Sequence, residues 1–278
     1  MPDTLPPAAA AEASLARRHR APAPPAPAWN TVLETILAHR SIRHFLPRDL
    51  PPNTLETLIA AAQSAATSSN LQLWSVVAVR EKARKSRLAQ LAGQQDFIDQ
   101  APLLLVWLAD LHRLESLAAL RGQPVTGTLY LEEFMVGLID AALAAQNTLL
   151  AAESLGLGGV YVGAIRNHPL EVAGELALPP RVFAAFGMAI GWPDRAAGEE
   201  VKPRLPREVV LHHETYRPAQ DDTPIAGYNA TMREFQREQA MRPIDWTQQC
   251  IDRVRDAAAL RGRETMRDSL AALGFPLR

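Results

Sequence analysis

Residues 102–109, Pro-Leu-Leu-Leu-Val-Trp-Leu-Ala, are apolar without interruption. A run of this kind shows no inside–outside alternation, so it reads as a strand covered on both faces and central in its sheet. Three further stretches read as strands around it: 74–80 (WSVVAVR), 160–165 and 182–190.

Helical periodicity fills the intervals. Val32, Leu33, Ile36 and Leu37 make an apolar stripe opened by Asn30 as a cap. Leu55, Leu58, Ile59 and Ala62 fall at i, i+3, i+4 and i+7 after Pro51-Pro52-Asn53. Residues 81–92 read as a charged surface helix stopped by Gly93, and Pro169 is placed to begin a short helix before the last strand. The apolar stretch 134–155 carries Asp140, Gln146, Asn147 and Glu153, which makes it a poor membrane span. It reads as a helix buried on most sides and ended by Gly156. Residues 113–129 read as irregular or as a mobile helical excursion, and strands alternating with helices indicate a three-layer α/β or α+β domain.

At 278 residues and 47% hydrophobic composition the chain supplies a real core. Thirty acidic residues balance 29 basic ones, which argues against a nucleic-acid or membrane-surface binder. The lone Cys250 rules out an intramolecular disulfide or a Cys-rich metal site and fits a reducing, cytoplasmic location. Residues 1–28 are rich in Ala and Pro and lack a continuous apolar segment after Arg17-Arg18-His19-Arg20, so they read as a disordered leader. The division expected is this leader, a core over 29–216, and a helical extension over 217–278. That extension contains a linker at 217–227 and helical stretches at 228–240 and 246–272.

The chain lacks GxxxxGK[ST], GxSxG and HExxH. The passage Gly156-Leu157-Gly158-Gly159-Val160-Tyr161 approaches a dinucleotide fingerprint but fails it, because Tyr161 holds the third glycine position and the glycines follow a helix. His212-His213-Glu214 reads as a solvated loop, since adjacent histidines on a regular element point apart; no metal site is expected. The run His39-Arg40-Ser41-Ile42-Arg43-His44-Phe45 has two readings. Two guanidiniums and a hydroxyl suit a phosphate, and basic residues at a helix end also simply complement its dipole.

Three features remain: the His-Arg-Ser-x-Arg run, the glycine-rich passage at 156–164, and the pair Lys202/Arg204. A reduced flavin suits all three, because it carries a phosphate, lies against closely approached backbone and becomes anionic at N1–C2=O. Together with ATSSNLQ (66–72), AAESLGLGGVYVGAIRN (151–167), GWP (191–193) and KPRLP (202–206), the run HRSIRHF resembles the FMN-containing, NADPH-dependent nitroreductase and flavin reductase family. The likeness covers about residues 30–278 and is strongest to the oxygen-insensitive, NADPH-preferring branch.

The resemblance implies an α+β three-layer sandwich with a central, mainly antiparallel sheet flanked by helices, in a homodimer of domain-swapped style with FMN at the interface. It places His39, Arg40, Ser41 and Arg43 on the FMN phosphate and pyrimidine side, and Gln95 facing the ring. Thr67, Ser68 and Ser69 would reach in from the partner subunit. Tyr161, Val162, Gly163 and Ala164 would lie along the ring near N5, with Lys202 and Arg204 on the phosphate and ribityl side. Arg237, Arg242 and Arg263 would take the 2′-phosphate of NADPH, with Arg263 also touching the acceptor. Relatives often carry a second glycine where Ala164 stands and an aromatic residue where Asn70 would line the substrate pocket. The implied activity is two-electron reduction of nitroaromatics and quinones by NADPH through FMN, with no catalytic acid or base. The alternatives are supply of reduced free flavin to a partner, or flavin binding without turnover.

Overall fold

The computed structural model describes residues 8–21, 28–218 and 221–278. Helices are α1 (Ala8–His19), α2 (Thr31–Ala38), α3 (Thr54–Gln63), α4 (Lys82–Leu91), α5 (Asp96–Gln100), α6 (His112–Leu120), α7 (Leu131–Ser154), α8 (Pro169–Glu175), α9 (Arg207–Val210), α10 (Thr223–Glu238), α11 (Trp246–Val254) and α12 (Met266–Ala272). Strands are β1 (Trp74–Val79), β2 (Leu103–Asp110), β3 (Gly158–Val162) and β4 (Val182–Gly191). Contacts divide the chain into two compact units, one of Met1–Arg40 with Arg195–Ala259, the other of Ser41–Asp194 with Leu260–Arg278.

The second unit holds a four-stranded sheet in the order β1-β2-β4-β3, with every neighbouring pair antiparallel. The uninterrupted apolar run is β2, buried at all its positions and interior in the sheet, as its composition requires. Its side chains alternate between two cores. Leu104, Val106 and Leu108 pack with Leu88, Phe97, Ile98 and Val172 from α4, α5 and α8. Leu103, Leu105 and Trp107 pack with Leu58 of α3 and with Ala141, Ala145 and Leu149 of α7. This is the helix–sheet–helix sandwich of an α+β domain.

Among the described residues, α7 is the one helix long and apolar enough to cross a membrane. One side of it is core: a Cβ on Gly137 would lie 3.1 Å from the Leu73 carbonyl and 3.2 Å from Ala109 Cβ, so the helix backbone sits close on the sheet. Leu131, Met135, Ile139 and Leu143 are exposed on another side, which departs from a helix buried on most sides.

Other departures have local causes. Residues 160–165 are strand only to Val162; residues 163–167 form a 3₁₀ turn. Residues 113–129, read as irregular or as a helical excursion, do contain most of a helix, α6. The stretch 246–272 is broken into α11 and α12, because Arg261 and Gly262 take left-handed backbone at φ 57° and 87°. The expected single extension is divided as well. Leu270 and Phe275 enter a core with Phe134 and Phe183 of the sheet-bearing unit, whereas Tyr228, Met232 and Phe235 cluster with Leu205 and Trp246 in the first unit. Part of the expected disordered leader is the helix α1, in which Ala11 and Arg18 are buried. The rest of that expectation, at residues 1–7 and 22–27, and part of the expected linker, at 219–220, lie outside the described residues.

Candidate active site

In the second unit the site begins at the edge strand β3. The Ile42 N–H donates to the Gly159 carbonyl at 3.1 Å, and the Leu46 N–H donates to Trp192 O at 2.9 Å. Ile42 is buried over Gly158, where an added Cβ would stand 2.4 Å from Ile42 Cγ1. The extended chain alternates, so Ser41 and Arg43, half-buried and exposed, flank the buried Ile42.

Further along β3, Tyr161 stands edge-on to Phe186 with ring centroids 5.4 Å apart, and its hydroxyl donates to Gln146 Oε1 at 3.3 Å. Burial, ahead of the nearby Glu153 charge, pushes the Tyr161 hydroxyl well above the ordinary tyrosine pKa and keeps it protonated. Gly163 and Ala164 follow in the 3₁₀ turn, half-buried. A Cβ on Gly163 would meet nothing nearer than the Arg166 guanidinium at 3.5 Å, so this backbone is open to close approach. Four residue steps of extended chain take Gly159 to Gly163, a span of about 13 Å.

Asn167 ends that turn and gathers two more expected residues. Arg263 Nε donates to Asn167 Oδ1 at 2.9 Å. A Cβ on Gly93 would lie 3.7 Å from Asn167 Nδ2, which sets the Gly93–Gln95 turn, with half-buried Gln95, beside the same segment.

The stretch after α3 is organised from α7. Asp140, 1% exposed, accepts from Thr67 Oγ1 at 2.7 Å, from the Ser68 N–H at 3.3 Å and from the Leu73 N–H at 3.0 Å. Ser69, Asn70 and Gln72 are held in left-handed backbone, φ 48°, 56° and 52°. The Thr67 hydroxyl also accepts from the Gln72 N–H at 2.9 Å, so it is spent on the loop itself. Ser68, Ser69 and Asn70 are exposed.

The first unit contains His39, Arg40, Lys202 and Arg204. The His39 N–H caps α2 on Ile36 O at 3.3 Å and the chain leaves extended. Lys202 and Arg204 are exposed on either side of buried Pro203, whose carbonyl accepts from Tyr228 Oη at 3.0 Å. Glu200 is bonded by Arg17, which holds its carboxyl below the usual range against burial, with Arg40 contributing in the same direction. Arg237 and Arg242, both exposed, belong to this unit, whereas Arg263 belongs to the other.

The nitroreductase family matches residues 36–192, and the C-terminal domain of that family matches 202–278. The chain belongs to the nitroreductase family. It is 40% identical over 228 residues to FMN reductase (NADPH) of Bacillus subtilis, covering 80% of this chain and 91% of that protein. It is 38% identical over 203 residues to oxygen-insensitive NADPH nitroreductase of Salmonella typhimurium, covering 73% and 81%. Among solved structures, the NfrA1 nitroreductase of B. subtilis superposes with a TM-score of 0.83 at 37% identity, covering 89% of this chain and 100% of that one. The NADPH:FMN oxidoreductase of Vibrio harveyi complexed with NAD+ gives 0.79 at 34% identity, covering 90% and 100%.

Within this nitroreductase-family chain, sequence reasoning overlooked Ile42, Asp140, Asn167 and Arg18, which hold candidate segments by their hydrogen bonds. Asp140 had a signal, a lone acid in an apolar helix, and Asn167 closes a recognised motif. Arg18 had none, because it lies in the Ala/Pro-rich leader.

Proposed function

We propose that the protein is an NADPH-dependent FMN oxidoreductase that reduces nitroaromatics and quinones. The observation that carries this reading is β3. The Ser41–Arg43 stretch is hydrogen-bonded at its start, and the open backbone of Gly163–Ala164 lies about 13 Å further on. A phosphate grip at one end and approachable N–H groups at the other fit FMN, with its phosphate on a ribityl chain and a flat ring at the far end. Bound there, FMN would supply the two-electron redox chemistry between NADPH and the acceptor.

The residues do the rest. Ser41 and Arg43, with His39, Arg40, Lys202 and Arg204, offer the hydroxyl and cationic donors that a phosphate and a reduced ring require. Tyr161 to Ala164 would hold the ring with their backbone, and Gln95 would offer it a polar side chain. The guanidiniums of Arg237, Arg242 and Arg263 are each suited to the 2′-phosphate of NADPH. Ala164 retains the N–H that a second glycine would offer there. Ser68 and Ser69 reach the flavin of a second copy of the chain. Thr67 serves by shaping that loop, since its hydroxyl is engaged by Asp140 and Gln72. No side chain need act as acid or base for hydride transfer.

A homodimer is the assembly this reading requires. The exposed apolar stripe of Leu131, Met135, Ile139 and Leu143 on α7 supports it, because contiguous apolar surface marks an interaction face. A cytoplasmic location fits the lone exposed Cys250 and the reduced nucleotide.

The test is the absorption spectrum of the purified protein, followed by NADPH oxidation with a nitrofuran, a quinone or free FMN. Yellow protein that turns over with the first two is expected. A colourless protein that neither takes up FMN nor oxidises NADPH overturns the reading. Relatives named for FMN reduction and for nitroreduction match at 40% and 38%. Turnover with free FMN far exceeding that with quinones would therefore assign the protein to flavin supply, and flavin bound without steady-state NADPH consumption would mark a binding protein.

A further inference from the structure

We infer that Arg18 is a positioning residue for the FMN phosphate grip, supplied by a helix that lies outside both stretches matching the family. The family matches begin at residue 36 and resume at 202, whereas Arg18 belongs to α1. It is nonetheless 6% exposed, in a segment whose composition predicts disorder.

Its contacts explain the burial. Arg18 Nη2 donates to Leu37 O at 2.7 Å and to His39 O at 2.5 Å, and Nη1 donates to Lys202 O at 3.1 Å. In return the Arg18 carbonyl accepts from the Arg204 N–H at 3.2 Å. Leu37 O is one of the last carbonyls of α2, a group with no helical partner of its own. It lies at the negative end of that helix, where a cation is favoured. A guanidinium is suited to this task, because its rigid fork points several N–H groups in one plane at separate acceptors.

The acceptors belong to two stretches far apart in sequence. One leads into His39-Arg40, the other is Lys202-Pro203-Arg204, and both are assigned above to the flavin phosphate. Arg18 ties their backbones to a single planar group, so it acts through them. Its neighbours hold the helix in place. Arg17 pairs with Glu200, and Arg20 pairs with Glu238, donating from Nη1 at 2.9 Å. The basic cluster at 17–20 is thus a brace, with the outer arginines anchoring and the inner one setting the spacing of the grip.

The inference rests on the FMN reading, and the test separates the two. Full-length chains freed of flavin are titrated with FMN and with riboflavin, which lacks the phosphate, and the ratio of the two dissociation constants is compared. Arg18→Met should raise the constant for FMN about tenfold while leaving that for riboflavin within about twofold, the loss of one well-placed interaction. Arg18→Lys should lose part of the preference, since an ammonium satisfies fewer of these acceptors, and it carries the test if the methionine variant fails to fold. Equal weakening of both ligands, or of neither, overturns the positioning role. Arg40→Ala is the control on the reading itself. If it abolishes the preference for FMN while Arg18→Met does not, only the brace is wrong. If neither variant alters the preference, the phosphate assignment falls and the inference with it.

Discussion

Asp140 shows how a single buried charge can shape a loop that lies far from it in sequence. Its carboxylate takes three donors from the 67–73 stretch, while Ser69, Asn70 and Gln72 keep backbone conformations that side chains ordinarily avoid. Asp140→Ala would leave the buried Leu73 N–H and the Thr67 hydroxyl without their acceptor. A loss of about 2–4 kcal/mol is expected, read as a lower urea midpoint, together with a drop in flavin content as the loop relaxes. Unchanged flavin content in a destabilised variant would show that the loop does not serve the cofactor. The acid in this helix was legible in the sequence, but its partners were not, because nothing in a linear pattern says which loop will pass over a given helix face.

At the scale of elements, β3 depends on glycines that leave room for their neighbours. An added methyl at Gly158 would meet Ile42 at 2.4 and 3.0 Å and Pro193 at 3.1 Å. Gly158→Ala should therefore cost about 1–3 kcal/mol by overpacking, and it should push the Ser41–Arg43 stretch off the strand. The measurement is thermal unfolding alongside FMN retention through gel filtration, with retained FMN contradicting the assigned role of this contact. A second junction joins α6, the 3₁₀ turn at 127–129 and the C-terminal segment. Arg181, 8% exposed, is paired with Glu115 at 2.7 Å and donates to Gly274 O at 3.0 Å and to Thr128 O. Burial raises the Glu115 pKa, but the Arg181 and Thr128 hydrogen bonds outweigh it and hold the carboxyl below its usual range. A carboxyl whose folded pKa is depressed contributes stability above its unfolded pKa of about 4.3, and this is lost as pH falls through the lower folded value. Glu115→Gln should therefore flatten the acid limb of the stability–pH curve below about pH 4, measured by urea unfolding across pH; an unaltered limb would remove Glu115 from the account.

For the whole molecule, the exposed side of α7 makes the sharpest prediction. Ile139 is 53% exposed at the middle of a stripe with Leu131, Met135 and Leu143, an apolar face that a soluble monomer has reason to cover. Light scattering should find a dimer, and Ile139→Asp should shift it to monomer with loss of bound FMN. A wild-type monomer would remove the homodimer from the proposal. Much of this architecture was legible beforehand. The uninterrupted β2 run required an interior strand, the helical stripes placed α2 and α3, and several motifs in one order identified the family. Such features are local, set by periodicity, caps and glycine positions, so the sequence by itself determined the four strands, the main helices of the sandwich, its class and the residue types available to grip an anion. Tertiary structure alone decided that α1 exists and buries Arg18, that Asp140 holds the 67–73 loop, that Asn167 meets Arg263, and that the C-terminal stretch divides between two units. Each of these is a contact between residues distant in the chain, and the energy that secures it comes from burial and hydrogen bonding that arise only once the partners have been brought together.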